Sequence, residues 1–194
     1  MKKFALILSI LMICSVSASA GIYNSPFGFS INVPSDWEII SGKEVEDWVD
    51  YETLKFVKKH AYTDDIKRRI RKGEVELYIP GRQIIGDTPW DAVYVTKFNK
   101  DFLSLLQECN GLSNKLSKVF GRPIEVYECG YKKMGNLQGF FEESDGPRYE
   151  QRVMAFYFLN TRNEMIGIGG ACKNRTLKVF RKEHEDIIRS IRIQ

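Results

Sequence analysis

The chain is poor in the residues that most chemistry needs. Its 194 residues include two histidines and four cysteines. No two cysteines form a Cys-x-x-Cys pair, so a structural zinc site has nothing to build on. No Gly-x-Ser-x-Gly elbow occurs, and neither His60 nor His184 has a serine or cysteine partner in a nucleophile context, so acyl-transfer chemistry lacks its parts. Gly167-Ile168-Gly169-Gly170 sits inside a strand pattern without the phosphate-binding fingerprint, and close packing or a bulge accounts for it better. No cofactor and no metal are expected. Linkers rich in Pro, Ser or Gly, low-complexity tracts and internal repeats are also missing, so nothing divides the chain.

Long apolar runs are scarce as well. The notable one, Phe4 to Ile13, is too short to span a bilayer. It follows Lys2 and Lys3 and precedes Ala18-Ser19-Ala20, the three-part pattern of a secretory signal peptide. Residues 1–20 are read as that signal, and 21–194 as one domain beginning at Gly21. Cys14 is not read as a lipidation site, because Ile13 occupies the position where a small residue is required. The compact leader is of bacterial type, so the sequon Asn174-Arg175-Thr176 carries no consequence. The expected location is secreted or periplasmic, with no transmembrane segment after signal removal.

Net charge is small too. The signal holds two of the 29 basic residues and no acid, which leaves 27 basic against 25 acidic residues, a net of +2. Such a balance, together with export, argues against nucleic acid as a partner.

What is present is a clear alternation of elements. Phe27, Phe29, Ile31 and Val33 alternate with polar or small residues as a strand, Pro34-Ser35-Asp36 turns, and Trp37 to Ile40 reads as the returning strand of a hairpin. A helix is expected around Glu44 to His60. A shorter one follows, with Thr63 as cap, Asp64 and Asp65 in its first turn and Gly73 as its stop. Glu74 to Ile79 and Ala92 to Phe98 read as strands. Lys100 to Phe120 repeats apolar residues at helical spacing through Phe102, Leu105, Leu106, Cys109, Leu112, Leu116 and Phe120. A meander follows: Ile124 to Tyr131, Leu137 to Glu142, Tyr149 to Leu159 and Met165 to Cys172. The last helix lines up Phe180, His184, Ile187, Ile188 and Ile191. The pattern predicts an α+β domain with helices covering a largely antiparallel sheet.

Three cysteines remain after cleavage, Cys109, Cys129 and Cys172. An oxidising compartment predicts one disulfide and one leftover thiol, with three pairings open. Cys109 lies on the helical stripe and Cys172 on the strand face expected to meet the helices, which favours that pair.

Three stretches together resemble the PsbP-like superfamily, named for an extrinsic protein of the photosynthetic oxygen-evolving complex. They are Pro26-Phe27-Gly28-Phe29-Ser30-Ile31-Asn32-Val33-Pro34-Ser35-Asp36-Trp37, the strand pair Tyr149 to Cys172, and Ile187-Ile188-Arg189-Ser190-Ile191-Arg192-Ile193. The resemblance implies an exported bacterial member with an α/β/α sandwich around an antiparallel sheet. It also implies a non-enzymatic role, since relatives serve as assembly factors, extrinsic subunits, import factors or secretion chaperones.

Few side chains stand out as a site. Lys67, Arg68, Arg69, Arg71 and Lys72 form the densest charge cluster, suited to an anionic surface or an acidic protein face. A solvated helix face balanced by Asp64 and Asp65 is the plainer reading. Trp90, in a loop, is the best candidate for an aromatic partner contact, although core burial is the safer expectation for Trp37, Trp48 and Trp90 alike. Glu142, Glu143 and Asp145 cluster at a turn without the alternating spacing of a calcium loop, so a solvated turn is expected. His184 reads as a semi-buried helix residue. The leading expectation is an exported, non-enzymatic binding or assembly module acting on an envelope protein or complex. A small-ligand or lipid-binding periplasmic protein is the alternative. A hydrolase built on Glu142, Glu143 or His184 comes a distant third.

Overall fold

The computed structural model describes residues 21–42, 68–80, 91–99 and 109–194. The signal peptide, the expected helix at Glu44 to His60, Lys67, Trp48 and Trp90 lie outside the described residues. Among the described residues, no helix is long and apolar enough to cross a membrane.

Ten strands form two antiparallel sheets among the described residues. The larger has seven, in the order β3 (Trp37–Ile40), β4 (Val75–Pro80), β5 (Ala92–Phe98), β9 (Met165–Lys173), β8 (Gln151–Leu159), β7 (Leu137–Asp145) and β6 (Val126–Met134). The smaller has three: β1 (Gly21–Ser25), β2 (Phe29–Val33) and the two-residue β10 (Arg192–Ile193). Helix α1 (Cys109–Phe120) precedes the meander, and α2 (Leu177–Ser190) follows it.

Alternation along the central strands decides which element covers which face. In β8, Met154, Phe156 and Phe158 join Ile166 and Ile168 of β9 on one side. Packed on them are Phe29, Ile31 and Val33 of β2 and Phe180, Ile187, Ile188 and Ile191 of the α2 segment. Ala155 and Tyr157 point the other way and join Phe140, Met165 and Leu112 of α1. Thus a small sheet and α2 share one face, and α1 sits on the other.

The expected hairpin is corrected. β2 pairs with β1 and β10, whereas β3 pairs with β4 in the large sheet. Proline cannot donate to a ladder, so pairing stops at Pro34; the Trp37 N–H closes the turn onto the Pro34 carbonyl, and the chain changes sheets there. β1 then reaches β2 through a turn at Gly28, whose φ of +84° suits glycine. The helix ending at Gly73 is seen as residues 68–71, and α1 accounts for the described part of the helix expected from Lys100. All four meander strands are present; three end one to three residues later than expected, and those expected from Ile124 and Tyr149 begin two residues later, at Val126 and Gln151.

The glycine-rich stretch of β9 is a packing device. A Cβ on Gly170 would come within 2.8 Å of the Phe180 ring and 2.9 Å of the His184 ring, so α2 can approach only because these atoms are missing.

Candidate functional site

Sheet polarity separates the expected contact residues. Register places Val75 beside Thr96 and Thr96 beside Gly167, so the basic segment at 68–72 lies at the end of the sheet that carries the β8–β9 turn. Arg68, Arg71 and Lys72 are exposed there, whereas Arg69 is half-buried, donating to the Thr96 hydroxyl and lying 3.8 Å from Glu74. Asp91, the neighbour of Trp90, belongs to the opposite end, where Ala92 pairs with Ala171.

That opposite end gathers polar side chains that sequence spacing did not connect. In β7, Glu142 and Glu143 point to opposite faces, so the expected solvated turn is instead two buried carboxylates. Glu143 Oε1 accepts from Arg152 at 2.9 Å and from Arg181 of α2 at 2.5 Å. The Arg152 guanidinium carbon stacks 3.4 Å from the centre of the Tyr127 ring. Beside this pair lies Cys172, whose thiol is pushed up to about 12 by burial, and the Thr176 hydroxyl donates to Asp91 at 2.7 Å. A thiol so protonated is inert as a nucleophile.

Above the cluster runs the β7–β8 turn. Arg122, just past α1, donates to the carbonyls of Gly146, Pro147 and Arg148 and holds the turn as a clasp. Its guanidinium lies 5.1 Å from the ring of Tyr149, which is 84% exposed. Next to the turn, Glu150, Lys173, Asn174 and Arg175 line an open hollow of about 290 Å3. The sequence offered a signal for this site in the succession Arg148, Tyr149, Lys173 and Arg175, but only the β8–β9 pairing brings the two halves together.

The favoured disulfide is corrected as well. Cys109 bonds Cys129 of β6, 5.7 Å away between Cα atoms, and Cys172 is free. Cys109 sits with the α1 face and Cys172 with the α2 face, so the sheet itself keeps them apart. The bond lines a groove of about 360 Å3 with Ser113, Tyr127 and Glu128.

The remaining buried polar groups hold the fold together. Glu76 accepts from Tyr23, Ser25 and Tyr78 at 2.6, 2.8 and 2.9 Å, which ties the small sheet to the large one. His184 is wholly buried, stacked on Phe180, and desolvation lowers its imidazole to about 4, so it stays neutral. Among the described residues, no group of three or more His, Cys, Asp or Glu side chains could hold a metal ion.

No family model matches the sequence, and no curated protein matches it significantly. Among solved structures, the chain is similar to cyanobacterial PsbP (CyanoP) from Synechocystis sp. PCC 6803, with a TM-score of 0.55 and 12% identity over 91% of this chain and 94% of that one. It is also similar, at a TM-score of 0.45 and 13% identity, to a Bacteroides thetaiotaomicron protein; the match covers 91% of this chain and 49% of that one. The fold is PsbP-like.

Proposed function

We propose that the chain is an exported, non-enzymatic module that binds an envelope protein or assembly. Its signal peptide would be residues 1–20 and its single domain 21–194, an α/β/α sandwich once the whole chain is counted. The observation that carries this reading is the PsbP-like fold. The disposition of the buried titratable side chains supports it. Glu76 and Glu143 are engaged by hydroxyls and arginines, and His184 and Cys172 are sealed into the core beside α2. Catalysis needs such groups at a surface that substrate can reach. The disulfide suits an oxidising compartment.

The test is crosslinking in intact cells that express the full precursor, followed by fractionation and mass spectrometry. The expected result is a mature chain beginning at Gly21, recovered outside the cytoplasm and joined to a discrete envelope protein. A purified protein that turns over a substrate, and loses that activity on one point substitution, would overturn the reading. Loss of bound small-molecule mass on denaturation, with no crosslinked protein, would replace it with a ligand carrier.

A further inference from the structure

The first turn of helix α2 is basic where its dipole favours acids. A helix N-terminus favours acids and disfavours cations. Yet the first turn of α2 has no acid and its N-cap no side-chain hydrogen bond. Instead, Lys173, Arg175, Lys178, Arg181 and Lys182 fall within a stretch of ten residues that has no acid, and Glu183, Glu185 and Asp186 follow. Arg181 is spent on Glu143 and Lys182 on Asp186. Lys173, Arg175 and Lys178 take no acidic partner among the described residues. Lys178 lies unfavourably in the field of the helix N-terminus, and Lys173 and Arg175 add positive charge to the same end.

The surroundings give that end its shape. Lys173 and Arg175 line the 290 Å3 hollow, and the fixed Arg122–Tyr149 stack stands beside it. We propose that this end of the sheet is a docking surface for a carboxylate-rich segment of a partner protein. The hollow would receive acidic side chains on Lys173 and Arg175, with Tyr149 as the aromatic anchor. Arginine forks match carboxylates, and Tyr and Arg are the residues that protein interfaces concentrate. A bilayer fits less well. A flat surface reaches protruding groups rather than a hollow. This inference rests on the binding-module reading and names the chemistry of its partner.

The test measures fluorescence anisotropy of a labelled glutamate homopeptide with the purified protein, at low and at high salt. Equimolar phosphatidylcholine–phosphatidylglycerol vesicles form a second arm. Lys173→Glu/Arg175→Glu should weaken peptide binding at least about tenfold, as expected when charge complementarity is reversed. Arg71→Glu/Lys72→Glu, at the opposite end, should leave it unchanged. Lys178→Glu should weaken binding while raising the melting temperature, because it mends the helix dipole; a folding defect would move both downward. Absence of peptide binding, an equal loss in the Arg71/Lys72 variant, or binding to vesicles alone overturns the proposal. If crosslinking in cells still yields an envelope partner, only this surface assignment falls and the binding-module reading stands.

Discussion

On the α2 face of the large sheet, Glu76 accepts from three hydroxyls and Glu143 from two arginines. On the α1 face, Glu142 takes a single hydroxyl from Tyr157 at 3.0 Å, and its other oxygen is buried without a partner. Glu142 and Glu143 are chain neighbours, and the period of two alone sends them into these different surroundings. The face built from two layers, the small sheet and α2, can bring donors from several elements to one carboxylate. The face covered by α1 relies on a covalent tie, Cys109–Cys129, and buries only Leu112 of that helix fully. Glu76 and Glu143 are held by several donors on one face, whereas the other is tied by a disulfide.

The sharpest way to break that contrast is to empty each core in turn. Phe156→Ala on the α2 face should cost about 4 kcal/mol in urea denaturation, and Leu112→Ala on the α1 face about 2 kcal/mol, spanning the range for large-to-small core changes. Equal costs would mean that α1 is as firmly seated as α2.

The disulfide comes next. Cys109→Ser/Cys129→Ser should lose about 3 kcal/mol, the loop-closure value for a ring of this size. Alkylation of native protein should label no thiol, unfolding should expose Cys172 alone, and reduction should then reveal all three. Labelling of Cys172 in the folded state would contradict its burial between sheet and α2.

Acid tests the α2 face directly. His184 is held neutral with its folded pKa near 4, below the ordinary value of 6.5. The unfolded chain therefore takes up the proton first, and stability falls as pH drops from 6.5 toward 4. The full shift corresponds to about 3 kcal/mol. His184→Leu should flatten that limb of the pH–stability curve, measured by thermal melts across the range. An unchanged limb would place the acid sensitivity elsewhere.

These predictions draw on features that differed in how plainly the sequence displayed them. The meander strands and α2 were legible because each carries an uninterrupted apolar period, from Met165 to Cys172 and from Phe180 to Ile191. The Gly73 stop was legible through its own chemistry. The hairpin was misread because Pro34 looks the same whether the chain turns back or changes sheets; only the distant pairing of β3 with β4 decides it. The disulfide was misread for a related reason. Periodicity told which side of its own element each cysteine occupies, but not that α1 and α2 lie on opposite faces of the sheet. The basic candidates at 68–72 were found by their density. The hollow at Lys173 and Arg175 was not singled out, because its residues are split by the whole length of β8 and β9, and no window on the sequence contains it.

Glu142 supplies the mildest probe and the opposite sign. Desolvation raises its carboxyl above the ordinary 4.5, and the hydrogen bond from Tyr157 offsets this only in part. A raised folded pKa means that the native state holds the proton more tightly than the unfolded chain. This group's contribution is complete below 4.5 and is lost as pH rises through the folded value. The α1 face thus loses stability toward high pH, while His184 makes the α2 face lose it toward low pH. Glu142→Gln removes the titration while leaving an oxygen to accept from Tyr157. It should raise stability at pH 8 by up to about 1 kcal/mol, the scale of one hydrogen-bonded group, and leave pH 4 nearly unchanged. A loss at pH 8 would mean that the ionised carboxylate is satisfied in the native protein, and the two faces would then treat buried charge alike.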